Sequence, residues 1–224
     1  VAVRLRGWAE SYTREGRFSP IGVVFHWVMA ALVLFQLGLG WFMAFLMPAG
    51  GDRMEAYQLH GAIGLTIFVL ALMRMVWRIM IVDPFNDADT QGWRTKFAYV
   101  VEHVFYVCFF LLPITGWIMW SSVAPPGPLS VGGVIPWPRI PLEELPLATR
   151  FEIMGLAESA HLILVWVLMI LVPLHVVAAL KHHFWDRSDV LRGMLPEIPD
   201  WEDPRADRQH KQKDRQLPKG SEAG

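Results

Sequence analysis

Cysteine is nearly absent from this sequence: Cys108 is the only one in 224 residues. One chain therefore builds no disulfide framework, no thiolate zinc site and no iron–sulfur cluster. The Cys-x-x-Cys-His pattern that tethers haem covalently is missing too, so any haem would be held by non-covalent contacts. Charge is also scarce. Only 18% of residues are charged, 54% are hydrophobic, and the formal net charge is −1, which is too apolar for an ordinary soluble domain. No Gly-x-x-x-x-Gly-Lys phosphate loop, no Gly-x-Gly-x-x-Gly fingerprint and no internal repeat occurs. Soluble-enzyme chemistry has no motif to stand on, and no nucleic-acid partner is expected.

What the sequence does have is long apolar runs, at residues 21–47, 57–82, 97–121 and 158–183. Each can cross a hydrocarbon core of about 30 Å as a helix, which takes about 20 residues. Backbone groups in lipid must be satisfied within the segment. The expected fold is thus an all-α membrane protein, a bundle of four transmembrane helices. The first run follows twenty more polar residues and exceeds a signal-peptide core, so it is expected to stay as a span. Basic residues set the orientation. Arg4, Arg6, Arg14, Arg17, Arg78, Arg94, Lys96, Lys181, Arg187 and Arg192 gather on one side. Arg53, Arg139 and Arg150 lie on the other, the last two beside Glu143, Glu144 and Glu152. Both termini are therefore expected in the cytoplasm.

That divides the chain into a cytoplasmic segment 1–20, a membrane domain 21–195 and a polar tail 196–224. The tail has no apolar period and reads as disordered, with His210 a solvated residue. The outer connection 122–157 holds six prolines between Pro125 and Pro141, and a glycine pair. Those residues stop a continuing helix, and the segment is expected to form a flap over the outer end of the bundle.

Five of the eight histidines fall inside the runs: His26, His60, His103, His161 and His175. Ionisable residues there point by default to a functional site inside the bundle. His161 and His175 are fourteen residues apart, which brings them within about 40° of one helix face but separates them by about 21 Å. They cannot share one site; they can serve two stacked ones. His60 enters the second run at the depth of His161 on the outer side, and His26 lies at the depth of His175 on the inner side. Two pairs arise, each drawn from two helices. Zinc wants four ligands at one level, whereas two histidines saturate the iron of a haem and suit electron transfer. Gly38, Gly40, Gly61, Gly64 and Gly116 would let a flat macrocycle approach the backbone. Arg74 and Arg78, at i and i+4, share a face from which guanidiniums could meet haem propionates. His103, at the inner level, is a further candidate for a propionate or quinone contact, or for replacing one ligand.

The stretches "SPIGVVFHW", "LHGAIGL", "MRMVWR", "LLPITGW", "AHLILVWVLMILVPLHVVAALKHHFW" and "DVLRGMLP" resemble the bacterial cytochrome b561 family over about residues 18–196. The resemblance implies four helices holding two non-covalent haem b groups. By position, His26 with His175 would ligate the inner haem and His60 with His161 the outer one. It implies a bacterial inner-membrane protein passing electrons between an outer-face donor and the ubiquinone pool, with superoxide the first donor to consider. It also places His182, in the "KHHFW" stretch, near a quinone head group, where an imidazole can give and take protons. The alternative is a membrane electron-transfer subunit serving a hydrogenase, another dehydrogenase or a c-type cytochrome. A non-redox transporter or sensor with proton-relay histidines is a third class. Oligomeric state is not legible.

Overall fold

The computed structural model describes residues 8, 18–48, 52–80, 93–123, 127–186 and 190–195. The arginines of segment 1–17, Arg187, His210 and the tail lie outside the described residues, as does the side chain of Arg94. Five helices and one hairpin follow in order: α1 (Pro20–Phe45), α2 (Asp52–Met80), α3 (Trp93–Ser122), β1 (Leu129–Val131), β2 (Ile135–Trp137), α4 (Leu147–Phe184) and the short α5 (Val190–Gly193). Four of the helices are long and apolar enough to cross a membrane, and the chain is an all-α membrane protein.

The helix ends are built from local chemistry. Ser19 caps α1: its Oγ accepts from the Gly22 N–H at 3.3 Å, and Pro20 fills the first helical position, where a missing N–H costs nothing. The same Oγ accepts from Trp77 Nε1 at 3.1 Å, which pins the start of α1 to the last turns of α2. At its other end α1 leaves free carbonyls, and Arg53 of α2 donates to those of Met43 and Met47 at 3.4 and 3.2 Å. Arg150 does the same for α3, giving two hydrogen bonds to the Ser122 carbonyl at 3.0 and 2.7 Å. A cation at a helix C-terminus also meets the negative end of the helix dipole.

Helix α4 begins eleven residues before the apolar run, at Leu147, and spans 38 residues. At about 1.5 Å per residue that is about 57 Å, far more than the bilayer core needs. Its first turns carry Arg150, Glu152 and Glu158, charges that hide the helix from a hydropathy reading. Helix α2 likewise starts at Asp52, five residues early.

Neighbouring helices run antiparallel. Trp77 of α2 meets Ser19 of α1, Arg78 of α2 pairs with Glu102 of α3, and Phe105 of α3 meets His175 of α4. The central core takes residues from all four: Met29 and Val33, Ile67 and Ala71, Cys108, and Leu168. Leu168 lies midway between His161 and His175, so this apolar layer separates the two histidine levels.

The outer connection is not simply a flap over the end of the bundle. Its hairpin pairs Leu129 with Trp137 and Val131 with Ile135, and it runs down the side of α2. Leu129 is buried with Leu65 and Trp120. A Cβ on Gly61 would stand 2.6 Å from Leu129 Cδ2, so a larger residue there would make the Leu129 side chain give way. The turn is made by Gly132 and Gly133, both at positive φ (61° and 74°), closed by the Val134 N–H donating to the Val131 carbonyl at 3.2 Å. The physical reason for the difference lies in that pair of glycines, which folds the chain back on itself as a narrow apolar ribbon.

Candidate functional site

Two pairs of imidazoles face each other inside the bundle. His26, in the second turn of α1, stands against His175 of α4 with ring centroids 6.2 Å apart. His60 of α2 stands against His161 of α4 at 6.3 Å. Neither pair is in direct hydrogen-bonding contact. Two imidazole nitrogens sharing one metal at about 2 Å each would hold their ring centroids about 6.3 Å apart, and both gaps match that span. Among the described residues no group of three or more His, Cys, Asp or Glu side chains gathers to hold a metal. The donor set is two imidazoles per level. That suits a metal whose other positions are filled by a ligand it brings with it, as a porphyrin does.

The outer pair is framed by small residues and fixed by hydrogen bonds. A Cβ on Gly40 would lie 3.4 Å from His60 Cε1, and one on Gly116 would lie 3.7 Å from His161 Cε1. The Thr115 hydroxyl lies 2.8 Å from His161 Nδ1, and 2.9 Å from the carbonyls of both Leu111 and Leu112. A hydroxyl has one proton, and the carbonyls can only accept it. With its proton given to its own helix, the Thr115 oxygen accepts from the His161 Nδ1–H, and that tautomer leaves Nε2 free to meet a metal. Gln36 of α1 donates to the His60 carbonyl at 2.7 Å. Yet Gln36 Oε1 and His60 Nδ1 are both buried without a partner among the described residues. Buried polar groups are ordinarily paired, so an orphaned imidazole nitrogen at the pair points to a ligand there.

The inner pair is framed by aromatics. Trp27 stands edge-on to His26 at 5.4 Å, and Phe105 edge-on to His175 at 5.3 Å. The Trp27 Nε1–H donates to the Met194 carbonyl at 2.6 Å, tying the turn after α5 to this end of α1. Arg74 lies within electrostatic reach of both His26 and His175. It has no hydrogen-bond or salt-bridge partner among the described residues.

The other candidates separate. Arg78 is held by Glu102 of α3 through Nε–Oε1 and Nη2–Oε2 contacts of 2.7 and 2.8 Å. That bidentate bond takes up much of its donor fork, whereas Arg74 has no such carboxylate partner among the described residues. His103 does not replace a ligand of either pair. Its Nδ1–H donates to the Tyr99 carbonyl of its own helix at 2.6 Å, and the ring is exposed on the outside of the bundle. It sits on the same exposed stripe as Val100, Val107 and Leu111, so it joins neither pair. His182 lies in the last turn of α4, where its Nδ1 meets Asp186 Oδ2 at 2.6 Å, with Lys181 Nζ 3.7 Å from the same oxygen. The outer arginines spend donors on backbone: Arg53 and Arg150 as above, and Arg139 on the Gly127 carbonyl at 2.7 Å.

Thr115, Gln36 and Glu102 were not singled out by sequence reasoning. Gln36 had a signal, being the one amide in the apolar body of α1; polar groups inside a span are functional candidates by default. Thr115 had none, because a threonine in an apolar helix commonly bonds its own backbone.

Comparison with known proteins meets this geometry from the other direction. The profile of the family described as prokaryotic cytochrome b561 matches residues 17–197, which takes in all four histidines of the pairs. "Cytochrome b561 homolog 2" of Escherichia coli K12 is 30% identical over 180 residues, 80% of this chain and 91% of that protein. "Cytochrome b562" of Cereibacter sphaeroides is 25% identical over 187 residues, 82% of this chain and 98% of that one. "Probable superoxide oxidase CybB" of Yersinia pestis is 22% identical over 195 residues, 80% and 96% of the two chains. The helices, the facing imidazoles and the near full-length matches converge, and the chain belongs to the prokaryotic cytochrome b561 family, whose members carry b-type haem and transfer electrons in the membrane.

Proposed function

We propose that the protein carries single electrons across the bacterial inner membrane between two b-type haems, the inner held by His26 and His175 and the outer by His60 and His161. The observation that supports this is the equal spacing of the two imidazole pairs, 6.2 and 6.3 Å, at two levels of one bundle. Bound there, haem supplies a one-electron redox couple; two imidazoles leave no open position on its iron for a substrate. The chain does the rest. His161 is oriented by Thr115, Gly40 and Gly116 leave room beside the outer rings, and Arg74 stands where an inner propionate needs a counter-charge. The apolar layer from Met29 to Leu168 keeps water from between the levels.

The outer donor we propose is superoxide and the inner acceptor ubiquinone. Two superoxide ions give up one electron each and leave as two dioxygen molecules; the quinone takes both electrons and two protons to become the quinol. His182, with its Nδ1 on Asp186, is placed at the inner interface to pass those protons. Support for superoxide comes from the relative named as a probable superoxide oxidase rather than from the outer arginines, whose donors are turned to backbone carbonyls.

The test is a reduced-minus-oxidised spectrum with a haem-to-protein ratio, followed by superoxide-driven quinone reduction in proteoliposomes. Two b-type haems and quinol formation by the purified chain are expected. A colourless protein after expression with ample haem defeats the redox reading. Quinone reduction that appears only with a co-purifying dehydrogenase defeats superoxide as the donor and makes this a partner subunit.

A further inference from the structure

The outer hairpin, β1 and β2, touches α2 at an unexpected place. The Gly132 N–H at its turn donates to Thr66 Oγ1 at 2.8 Å, while that hydroxyl donates to the Ala62 carbonyl at 2.7 Å. Thr66 lies fourteen residues from Asp52 and fourteen from Met80, the midpoint of α2. It is also six residues inward of His60, about 9 Å along the axis. Trp137 on the returning strand reaches Phe68, with ring centroids 6.4 Å apart, two residues deeper still. Leu129 meets α2 at Gly61, so the ribbon lies against the helix between Gly61 and Phe68.

From these contacts we infer that the hairpin is embedded in the outer leaflet, with Val134 and Ile135 facing acyl chains, as a re-entrant element of the membrane domain. Its partner is lipid. Val134 is 83% exposed and Ile135 63% exposed, at the depth of an apolar helix midpoint where water does not reach. The bundle itself presents exposed apolar side chains of α2 and α3, among them Leu72, Val107 and Leu111.

Irregular backbone at this depth is costly unless its polar groups are met within the protein. The ribbon is built for that. Pairing of the two strands takes up backbone groups on both, the turn closes on itself from Val134 to Val131, and Gly132 finds Thr66. Pro136 and Pro138 carry no N–H at all, so two donors that would face lipid do not exist. The carbonyl of Pro138 is met by Trp117 Nε1 at 2.8 Å. Prolines that look like helix breakers in the sequence act here as removed donors. Lipid suits this tip better than water, since each Å² of apolar surface taken out of water gains about 25 cal/mol.

The experiment places single nitroxide labels on the full chain reconstituted in phosphatidylcholine–phosphatidylglycerol vesicles, in a Cys108→Ser background, with haem absorbance checking the fold. Labels at Val134→Cys, Ile135→Cys and the exposed loop position Glu144→Cys are compared for collision with oxygen, which partitions into lipid, and with a nickel chelate, which stays in water. The inference expects oxygen collision to exceed nickel collision several-fold at 134 and 135, with the order reversed at 144. Nickel accessibility at 134 and 135 equal to that at 144 overturns it in favour of a water-facing flap. Shielding of both labels from both reagents overturns it in favour of a protein partner such as a second copy. If one substitution prevents folding, the other carries the test, and neither reading depends on which donor reduces the protein.

Discussion

Single side chains set the chemistry of the two levels, and their roles can be separated by substitution. His161→Ala should lower haem from two per polypeptide to one in a pyridine haemochromogen assay, while His103→Ala should leave the ratio unchanged. Thr115→Val removes the hydroxyl partner of His161 Nδ1, and loss of such an outer-sphere partner typically weakens a metal site about 10–100-fold. The expected outcome is faster haem transfer from one centre to an acceptor protein, with the other centre unaffected. Arg74→Gln should loosen the inner haem. Arg78→Gln should leave haem content intact, and a double-mutant cycle with Glu102 should return about 0.2–1 kcal/mol, because that pair is roughly a third exposed and partly screened. The four paired histidines were legible because depth follows from counting residues along a run. His103 could not be given a face because α3 has no single apolar side, so the sequence does not say which of its faces looks inward. Only the structure shows that Cys108 is fully buried, and His103, five residues back and about 140° around, points away.

Elements follow from capping and close approach more than from hydropathy. The apolar runs give the number of helices, but the 38 residues of α4 are hidden by charges in its first turns. A hydropathy reading finds what lipid covers, not where the helix begins. The hairpin was unreadable for a related reason: six prolines and a glycine pair say that a helix stops, whereas its path rests on the packing of Leu129 and Trp137 against α2 and on the Gly132–Thr66 bond. The Leu129 contact is testable. Gly61→Val places methyl groups where Leu129 sits, and overpacking of this kind costs about 1–3 kcal/mol. The expected result is a lower melting temperature in detergent, together with easier proteolysis within residues 127–146, and a variant as resistant as the parent would argue against the contact.

At the scale of the whole molecule, α4 supplies one imidazole to each level, while α1 and α2 supply the other two. The two levels are thus in phase along one rod, about 21 Å apart. Inserting one alanine after Leu168 would turn everything beyond it by about 100°, so His161 and His175 could no longer both face their partners. One haem should be lost, measured as a haem-to-protein ratio near one with the bundle still folded. The same arrangement resembles two cams on a shaft. Any sliding or twisting of α4 would disturb both centres together, so independent adjustment of either one is left to the helices that each serve a single level.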